Sequence, residues 1–310
     1  MNRQIYLASP RGFCAGVVRA IDIVELALEV YGTPIYVLNE IVHNAHVVNG
    51  FREKGVQFVA SLDDVPAGCR VIFSAHGISP AVRKRAAEKH LKTIDATCPL
   101  VTKVHLEALR YKQQNYTIIL IGHREHEEVT GTMGEAPGHI QLVSSVEDVD
   151  MLNLPAQARI AYLTQTTLSL DDTRGIIERL RTRFPQIEGP NVNDICYATQ
   201  NRQNAVQEMS RIVPIVLVIG SANSSNSNRL VEVAEKAGAR AYLINNAANI
   251  DPVWLQNTGS IGVTAGASTP EVLIQQVITF LQEKGYSKIE ELHTVDENVH
   301  FALPPELAAK

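Results

Sequence analysis

Three cysteines in this chain share one local context. Cys14 lies in SPRGFCAGVV, Cys98 in DATCPLVTKV and Cys196 in NDICYATQNR, and each stands where turn-forming residues give way to a helical pattern. The start of a helix leaves backbone N–H groups without intrahelical partners and carries the positive end of the dipole, which favours a thiolate. A cysteine in such a place can also be buried core, but the shared context favours three thiolates acting together.

The spacing of the cysteines is compatible with two different kinds of metal centre. Three thiolates can hold zinc with one open position, or a cubane iron–sulfur cluster in which one iron has no protein ligand. Structural zinc sites usually use close CxxC pairs, and the sequence contains none, which favours the cluster. The fourth cysteine, Cys69 in DDVPAGCRVIF, precedes an apolar strand pattern, so we expect it to pack as a small hydrophobic residue.

Polar side chains follow apolar strand patterns at corresponding places along the chain. A lone histidine in a loop is more often a hydrogen-bonded structural residue, and a run such as SANSSNSN is commonly a solvated loop. Because these side chains recur in matching loops, we expect them to share a ligand, and their imidazoles, hydroxyls and amides beside helix starts suit a phosphate. The residues concerned are His43, His76, His123, His126, Ser224, Ser225, Asn226 and Ser268.

The elements that must position these residues recur three times. After each cysteine comes a helical run and then short apolar strands, of which the first are PIYVL, TIILIG and PIVLVIG. Near-continuous apolar strands alternating with helices predict parallel sheets with right-handed crossovers, and ligands bind beyond the carboxyl ends of such strands. A fourth segment closes the first two repeats but is missing from the third. We expect the N-terminal strand, from Gln4 to Ala8, to replace it there.

The repeat predicts an α/β protein of three similar domains, with parallel-type sheets flanked by helices, arranged around one centre that the three cysteines share. The tail after the third domain has two interpretations, an extended segment that closes over the core or a frayed terminus. The predicted boundaries are 15–97 for the first domain, 98–195 for the second, 1–14 with 196–284 for the third, and 285–310 for the tail.

Composition limits the function classes. The 310 residues are 45% hydrophobic and 20% charged, with a formal net charge of −5, which is typical of a globular protein without a nucleic-acid footprint. No apolar run approaches the roughly 20 residues that cross a membrane. The start, MNRQIYLASPRGFC, has no secretory or transit pattern, so we expect a cytoplasmic protein with neither a membrane nor a nucleic acid as partner.

Long motifs in sequence order give a resemblance that covers almost the whole chain. RGFCAGV, VHN, SAHG, DATCPLVTKVH, TGTMG, TQTTLS, DICYATQNRQ, GSANSSNSNRL and TAGAS resemble the 4-hydroxy-3-methylbut-2-enyl diphosphate reductases, the LytB/IspH family. The resemblance implies a pseudo-threefold trefoil of three α/β domains around a central [4Fe–4S] cluster. It also implies reductive dehydroxylation of that diphosphate to isopentenyl and dimethylallyl diphosphates, the last step of the non-mevalonate isoprenoid pathway.

The same resemblance assigns the chemistry. The substrate hydroxyl would bind the open iron, two electrons and protons would be delivered, and water would be lost. Electrons would come from flavodoxin or ferredoxin. Carried over by position, the cluster ligands are Cys14, Cys98 and Cys196, and the catalytic residues are Glu128 and Thr166. The substrate contacts are His43, His76, His126, Thr167, Ser224, Ser225, Asn226 and Ser268.

One loop departs from the family pattern. Where the family usually resembles GHAGHPEVEG, this chain has GHREHEEVTG, so that Arg124 and Glu125 replace two small residues and Glu127 replaces a proline. The family's catalytic glutamate aligns with Glu128. The adjacent Glu127, whose side chain we expect to point elsewhere on an extended loop, is the competing candidate for the acid.

Two other functions compete with a reductase. An iron–sulfur hydro-lyase would use the open iron only as a Lewis acid and would need no electrons, so product analysis with a strong reductant separates it. A cluster-bearing sensor would have no turnover, and it would not need the six polar loops that follow the strands.

Overall fold

Three parallel β-sheets flanked by helices make up the fold. The computed structural model describes residues 3–155, 158–190 and 192–308. The helices are α1 Ala15–Tyr31, α2 Ala45–Glu53, α3 Pro80–Glu88, α4 Pro99–Gln113, α5 Glu127–Glu135, α6 Val146–Met151, α7 Leu170–Arg183, α8 Tyr197–Met209, α9 Ser225–Lys236, α10 Glu271–Glu283 and α11 Pro305–Ala308. The strands are β1 Arg3–Ser9, β2 Ile35–Leu38, β3 Val56–Val59, β4 Arg70–Phe73, β5 Lys92–Asp95, β6 Thr117–Ile121, β7 Ile140–Val143, β8 Ile160–Thr164, β9 Ile215–Ile219, β10 Arg240–Ile244, β11 Ser260–Ala265 and β12 Tyr286–His293.

The first two sheets are built from consecutive strands. The first has the order β3-β2-β4-β5 and the second β7-β6-β8, with every pairing parallel. A single parallel bridge between Ala161 and Glu188 stands where a fourth strand of the second sheet would lie. β2 of the first sheet and β8 of the second are buried along their whole length, as expected for strands covered by helices on both faces.

The third sheet has the order β10-β9-β11-β1-β12. β1 pairs in parallel with β11, with Gln4 opposite Ser260 and Leu7 opposite Val263. The prediction that the N-terminal strand closes the third repeat is therefore confirmed. In each sheet, the first strand of the repeat lies between the second and the third strand. In the first and third sheets, a fourth strand lies next to the third. Within each sheet the carboxyl ends of the strands lie at one edge, which is where the polar loops follow.

The last strand was not predicted. Residues 286–293 form β12, which pairs with β1, with Ile5 opposite Ile289. Only Tyr286 is buried in this strand, and it is 0% exposed within the core of the third sheet. Beyond β12 the chain has no helix or strand until α11, where Leu307 is 2% exposed. The end of the described chain is therefore packed, as in the extended interpretation of the tail.

Contacts divide the chain into two compact units. The first unit is Met1–Val17, His43–Val47 and Tyr197–Val299, and it contains the third sheet. The second unit is Val18–Val42, Val48–Cys196 and His300–Lys310, and it contains the first two sheets. The division into three domains remains a prediction. Among the described residues, no helix has both the length and the apolar character that crossing a bilayer requires.

Both faces of the strands are covered. In the first unit, Ile215, Leu217 and Ile219 of β9 pack into one core cluster, and Val216 and Val218 pack into another on the opposite face. The alternation of side chains along a strand produces this division. A rigid sheet between two apolar layers holds the loops at its carboxyl edge in fixed positions.

Candidate functional site

Each of the three matched cysteines stands at the first turn of a helix. Cys14 directly precedes α1, Cys196 directly precedes α8, and Cys98 is the N-cap residue of α4. The first N–H groups of a helix have no intrahelical acceptor, and together with the dipole they stabilise a thiolate. None of the four cysteines, all within the described chain, forms a disulfide, and each is partly exposed. This donor set fits three thiolate ligands, as the sequence predicts.

One backbone hydrogen bond recurs at these cysteines. The N–H group of each donates to the carbonyl oxygen of a residue two positions beyond the third strand of a repeat, which is β4, β8 or β11. Three copies of one contact show that the repeat extends to the cysteines themselves. The donor–acceptor pairs and their N···O distances are Cys98–Ala75 at 3.0 Å, Cys196–Thr166 at 3.0 Å and Cys14–Ala267 at 3.2 Å.

Glu128 is a buried carboxyl group in the second unit, with 3% of its surface exposed. Its Oε1 accepts a hydrogen bond from the N–H of Thr166 at 2.7 Å, and its Oε2 accepts one from the Thr166 hydroxyl at 2.9 Å. Burial raises the pKa of Glu128 to about 7, against the lowering effects of the Thr166 hydrogen bonds and of His76. The two residues expected to be catalytic are therefore in direct contact, and the carboxyl can hold or release a proton near neutral pH.

His126 caps the helix that carries Glu128. Its Nδ1 accepts a hydrogen bond from the N–H of Glu128 at 3.2 Å, at the N-terminus of α5. In a neutral imidazole the proton then resides on Nε2, which makes that atom a donor. The ring of His76 stands edge-on to the ring of His126, with 5.8 Å between centroids. Two of the three expected histidine contacts thus lie side by side in the second unit.

Glu127 has different partners from its neighbour. Its Oε2 lies 3.2 Å from Nδ1 of His76, which is also 3.3 Å from the hydroxyl of Ser74. The expectation of an extended loop here is wrong, because α5 begins at Glu127 itself. Consecutive residues of a helix point about 100° apart, so the two glutamate side chains still diverge. The other departures from the family pattern, Arg124 and Glu125, are exposed in the preceding loop.

The loop after β8 also fixes the neighbouring threonine. Gln165 is 1% exposed, and its Nε2 donates to the hydroxyl of Thr167 at 2.9 Å. Its Oε1 accepts from the N–H of His123 at 3.0 Å. Gln165 therefore joins the loops that follow β6 and β8. Its role was not predicted from the sequence, although it lies within the TQTTLS motif.

In the first unit, His43 lies beside two loops of the third sheet. The hydroxyl of Ser268 donates to the carbonyl oxygen of His43 at 2.9 Å. The side-chain amide of Asn223 lies 3.4 Å from Nδ1 of His43. Ser268 itself is 7% exposed. The loops after β9 and β11 thus meet the segment that carries His43, which agrees with the expectation of shared binding loops.

The start of α9 provides the remaining polar groups. Ser224 is the N-cap residue, and its Oγ accepts from the N–H and the hydroxyl of Ser227 at 3.3 and 3.0 Å. Ser225 begins the helix, and Asn226 is 4% exposed. Within the described chain, the buried amide nitrogen and oxygen of Asn226 have no hydrogen-bond partner. A buried unsatisfied amide at a helix N-terminus fits a site that an anionic ligand completes.

Asp194 is a functional candidate that the sequence analysis did not single out. Its side chain is fully buried, and it accepts hydrogen bonds from the ammonium group of Lys103 at 2.9 Å and from the N–H of Thr164 at 3.0 Å. It thereby holds the segment that leads into Cys196 against the end of β8. The sequence feature that could have indicated Asp194 is its position two residues before Cys196, in the triplet Asp-Ile-Cys. Cys69, by contrast, packs against the core of the first sheet, as expected.

The expected site residues are divided between the units. The second unit brings together Glu128, Thr166, His76 and His126, and the first brings His43 together with Ser268 and with Asn223 in the loop before α9. Whether Cys14, Cys98 and Cys196 hold one cluster remains a prediction.

The chain is similar to reductases of one kind over its full length. The family model described as LytB protein matches residues 5–282. A 4-hydroxy-3-methylbut-2-enyl diphosphate reductase of Histophilus somni is 56% identical over 99% of both chains. A second such reductase, of Bradyrhizobium diazoefficiens, is 54% identical over 99% of both chains.

Solved structures agree with these sequence matches. The E-1-hydroxy-2-methyl-but-2-enyl-4-diphosphate reductase of Plasmodium falciparum has a TM-score of 0.98 at 42% identity, covering 100% of this chain and 98% of that one. Another, described as (E)-4-hydroxy-3-methyl-but-2-enyl diphosphate reductase, the terminal enzyme of the non-mevalonate pathway, has a TM-score of 0.65 at 32% identity. That match covers 91% of this chain and 99% of the other.

Proposed function

This chain belongs to the LytB protein family, and we propose that it removes the allylic hydroxyl of 4-hydroxy-3-methylbut-2-enyl diphosphate reductively. Two electrons and two protons convert the substrate to isopentenyl or dimethylallyl diphosphate and one water. The C–O bond breaks, a C–H bond forms, and the hydroxyl leaves as water. The reaction is the last step of the non-mevalonate isoprenoid pathway, in agreement with the names of the relatives.

The observation that carries this proposal is the threefold backbone contact of the cysteines. Cys14, Cys98 and Cys196 have the same helix-start position and the same N–H donation to the loop after a third strand. Cys69 lacks both features. The family is one of iron–sulfur enzymes, and we assign the three matched thiolates as ligands of a [4Fe–4S] cluster. When bound, such a cluster supplies single electrons and an iron with a position open to an exogenous ligand.

Glu128 is the proposed acid. Hydroxide is a poor leaving group, so a positioned acid must donate a proton as the C–O bond breaks. A buried carboxyl with a pKa of about 7 is protonated in a large fraction of molecules at neutral pH. The hydrogen bonds from Thr166 fix the orientation of the carboxyl group, which is the role we assign to Thr166.

We propose that imidazoles, hydroxyls and amides of the loops after the strands hold the diphosphate. Nε2–H of His126 is oriented by the cap hydrogen bond, and the buried amide of Asn226 lacks a protein partner. These groups bind without reacting, so their binding energy positions the hydroxymethyl group of the substrate. The proposed contacts are His43, His76, His126, Thr167, Ser224, Ser225, Asn226 and Ser268.

The reaction needs an external source of electrons. We propose flavodoxin or ferredoxin as the donor and the cytoplasm as the compartment, because reducing conditions there keep thiols available as ligands. Product analysis with dithionite as the reductant tests the reaction itself. Formation of isopentenyl and dimethylallyl diphosphates only when the reductant is present is the expected result, and turnover without any electron source would overturn the proposal.

The ligand assignment is tested by serine variants purified without oxygen. We expect Cys14→Ser, Cys98→Ser and Cys196→Ser each to lose most of the bound iron and sulfide and nearly all turnover, because a serine hydroxyl does not replace a thiolate ligand. Cys69→Ser is the matched control and should retain both. Full iron content and full activity in any one of the first three variants would contradict the assignment.

A further inference from the structure

Arg202 is a buried cation in the first unit. It is 0% exposed, and it lies on α8. Its Nε and Nη2 donate to the carbonyl oxygen of Gly12 at 3.2 and 2.8 Å, and its Nη1 donates to the carbonyl oxygen of Ala198 at 2.9 Å. The carboxylate of Glu297 accepts from Nη1 at 3.0 and 3.2 Å and from Nη2 at 3.3 Å. All three nitrogens of the guanidinium group therefore have partners.

The carbonyl that Arg202 binds belongs to the loop that ends at Cys14. Gly12 has a φ of +63°, which only glycine adopts without strain, and a Cβ there would lie 3.0 Å from the carbonyl oxygen of Thr269. The N–H groups of Gly12 and Cys14 donate to Ala265 and Ala267 at 3.2 Å each. The loop is thus held from one side by the end of β11 and from the other by the guanidinium group.

Glu297 reaches this position from the segment after β12. That segment has neither helix nor strand, and Asp296 and Asn298 on either side of Glu297 are exposed. The Glu297 side chain is only 14% exposed, and it also accepts a hydrogen bond from the amide of Asn201 at 3.0 Å. A buried guanidinium group is stable only when its charge is paired. Glu297 is therefore the group that allows Arg202 to remain beneath the loop.

We infer that Glu297 and Arg202 are positioning residues for Cys14: their buried ion pair keeps the Gly12 carbonyl, and with it the thiol two residues later, in the conformation that binds a metal centre. The inference rests on the proposed function for the identity of that centre. The contacts themselves lie within the first unit and do not depend on it. Removing the carboxylate charge leaves the buried guanidinium unpaired, so Arg202 moves toward water and releases the loop.

The test is the reactivity of individual thiols in the iron-free full-length protein. Glu297→Gln keeps the side-chain size and removes the charge. A maleimide is added, and labelling of each cysteine is followed by mass spectrometry of peptides. We expect Cys14 to be labelled about fivefold faster or more in this variant, in line with the loss of a charge-assisted hydrogen bond. The labelling rate of Cys69, which lies in the other unit, should not change.

Glu290→Gln is the matched control, because it removes the same charge from the same end of the chain. Glu290 lies on β12, where its carboxylate accepts a hydrogen bond from the side-chain amide of Gln4 at the exposed surface and, within the described chain, does not contact Arg202 or Gly12. It should leave all labelling rates unchanged. In protein loaded with iron and sulfide, Glu297→Gln should also lose iron to a chelator faster than Glu290→Gln does. This second readout addresses the metal centre, whereas the labelling experiment addresses the loop even if the proposed reaction is wrong.

Two outcomes would overturn the inference. One is an unchanged rate at Cys14 in a folded Glu297→Gln protein. The other is an equal acceleration at all four cysteines, which would indicate general loosening. If Glu297→Gln does not fold, Glu297→Asp takes its place, since it keeps the charge but shortens the reach to Arg202. Selective acceleration at Cys14 is again the expected result, and its absence again contradicts the inference.

Discussion

At the scale of single residues, two adjacent glutamates have different surroundings. Glu128 is buried against Thr166, and Glu127 contacts His76. We predict that Glu128→Gln lowers kcat by about 10²–10⁴-fold, the usual effect of losing a positioned acid. The glutamine amide can still accept the N–H of Thr166 and donate to its hydroxyl. Iron content and substrate affinity should therefore stay near those of the unaltered protein, which iron analysis and binding measurements check.

Glu127→Gln is the matched control for this prediction. It keeps the helix start and changes only the group that faces His76, so a much smaller effect on kcat is expected. A slow Glu127→Gln variant beside a near-normal Glu128→Gln variant would transfer the role of acid to Glu127, the residue that departs from the family pattern.

The raised pKa of Glu128 predicts a pH dependence. In the proposed mechanism turnover requires the protonated carboxyl, so kcat should be constant well below the pKa of about 7 and fall above it, by about tenfold per pH unit. The Thr166 hydroxyl lowers this pKa, so Thr166→Val should move the falling limb to higher pH. If the decrease in kcat occurs at the same pH in Thr166→Val, or if it still occurs in Glu128→Gln, the group that titrates is not Glu128.

The same shift affects stability with a definite sign. Because the folded-state pKa of Glu128 lies above its ordinary value of 4.5, the folded protein holds the proton more tightly than the unfolded chain does. This contribution to stability is fully present below pH 4.5 and is lost as the pH rises through about 7. In Glu128→Gln that part of the pH dependence should disappear.

The sequence singles out residues that carry a local signal. The cysteines and the histidine loops were identified because turn residues and apolar strands flank them, whereas Glu128 came from the resemblance to the family. Arg202 and Glu297 were missed, since their contact joins a helix to a segment without periodicity far along the chain. No pattern of neighbours in the sequence reveals such an ion pair.

At the scale of elements, α5 approaches the start of α3 closely enough to require a glycine. A Cβ on Gly134 would lie 2.2 Å from Cβ of Ser79, the N-cap residue of α3. We predict that Gly134→Ala lowers the free energy of unfolding by about 1–3 kcal/mol, because the helices must separate. The thermal unfolding midpoint measures the effect.

Gly175 provides the comparison for that helix contact. It lies within α7, and a Cβ there would have no heavy atom within 4 Å. Gly175→Ala should raise the free energy of unfolding by about 0.5–1 kcal/mol through helix propensity alone. Equal stabilisation by both substitutions would show that α5 and α3 are not in tight contact.

The strands differ in how readily the sequence predicts them. PIYVL, TIILIG and PIVLVIG were recognised because strands buried on both faces are continuous apolar runs. β12 has the sequence YSKIEELH, with Tyr286 as its only buried residue. An edge strand that is mostly exposed carries charged residues and has no apolar period. Its pairing with β1 is therefore determined by tertiary structure and was not predictable.

At the scale of the whole molecule, the third sheet contains both the first and the last strand of the described chain. β1 lies between β11 and β12, so a chain ending at Lys284 would leave β1 at the edge of the sheet and remove the buried Tyr286. Loss of a buried aromatic side chain alone costs about 3–5 kcal/mol. We predict that this truncated chain is insoluble or unfolds at a clearly lower temperature. A chain ending at Ala308 is the control, and equal unfolding temperatures would contradict the prediction.

The threefold organisation was the part of the fold that the sequence predicted best. Its strand order recurs in the first and third sheets, and the missing fourth strand of the third repeat is β1, as expected. The second repeat departs from the pattern, because among its described residues a bridge between Ala161 and Glu188 takes the place of a fourth strand. The segment QIEGP is too short and polar to make a full strand.

The position of β1 sets the order of events during synthesis. Ribosomal synthesis produces β1 long before β11 and β12, the strands with which it pairs. Cys14 cannot donate to Ala267, and Arg202 cannot meet Glu297, until those later segments have been translated. We therefore expect the proposed metal centre to be loaded at Cys14 in its folded position only after these segments have been translated.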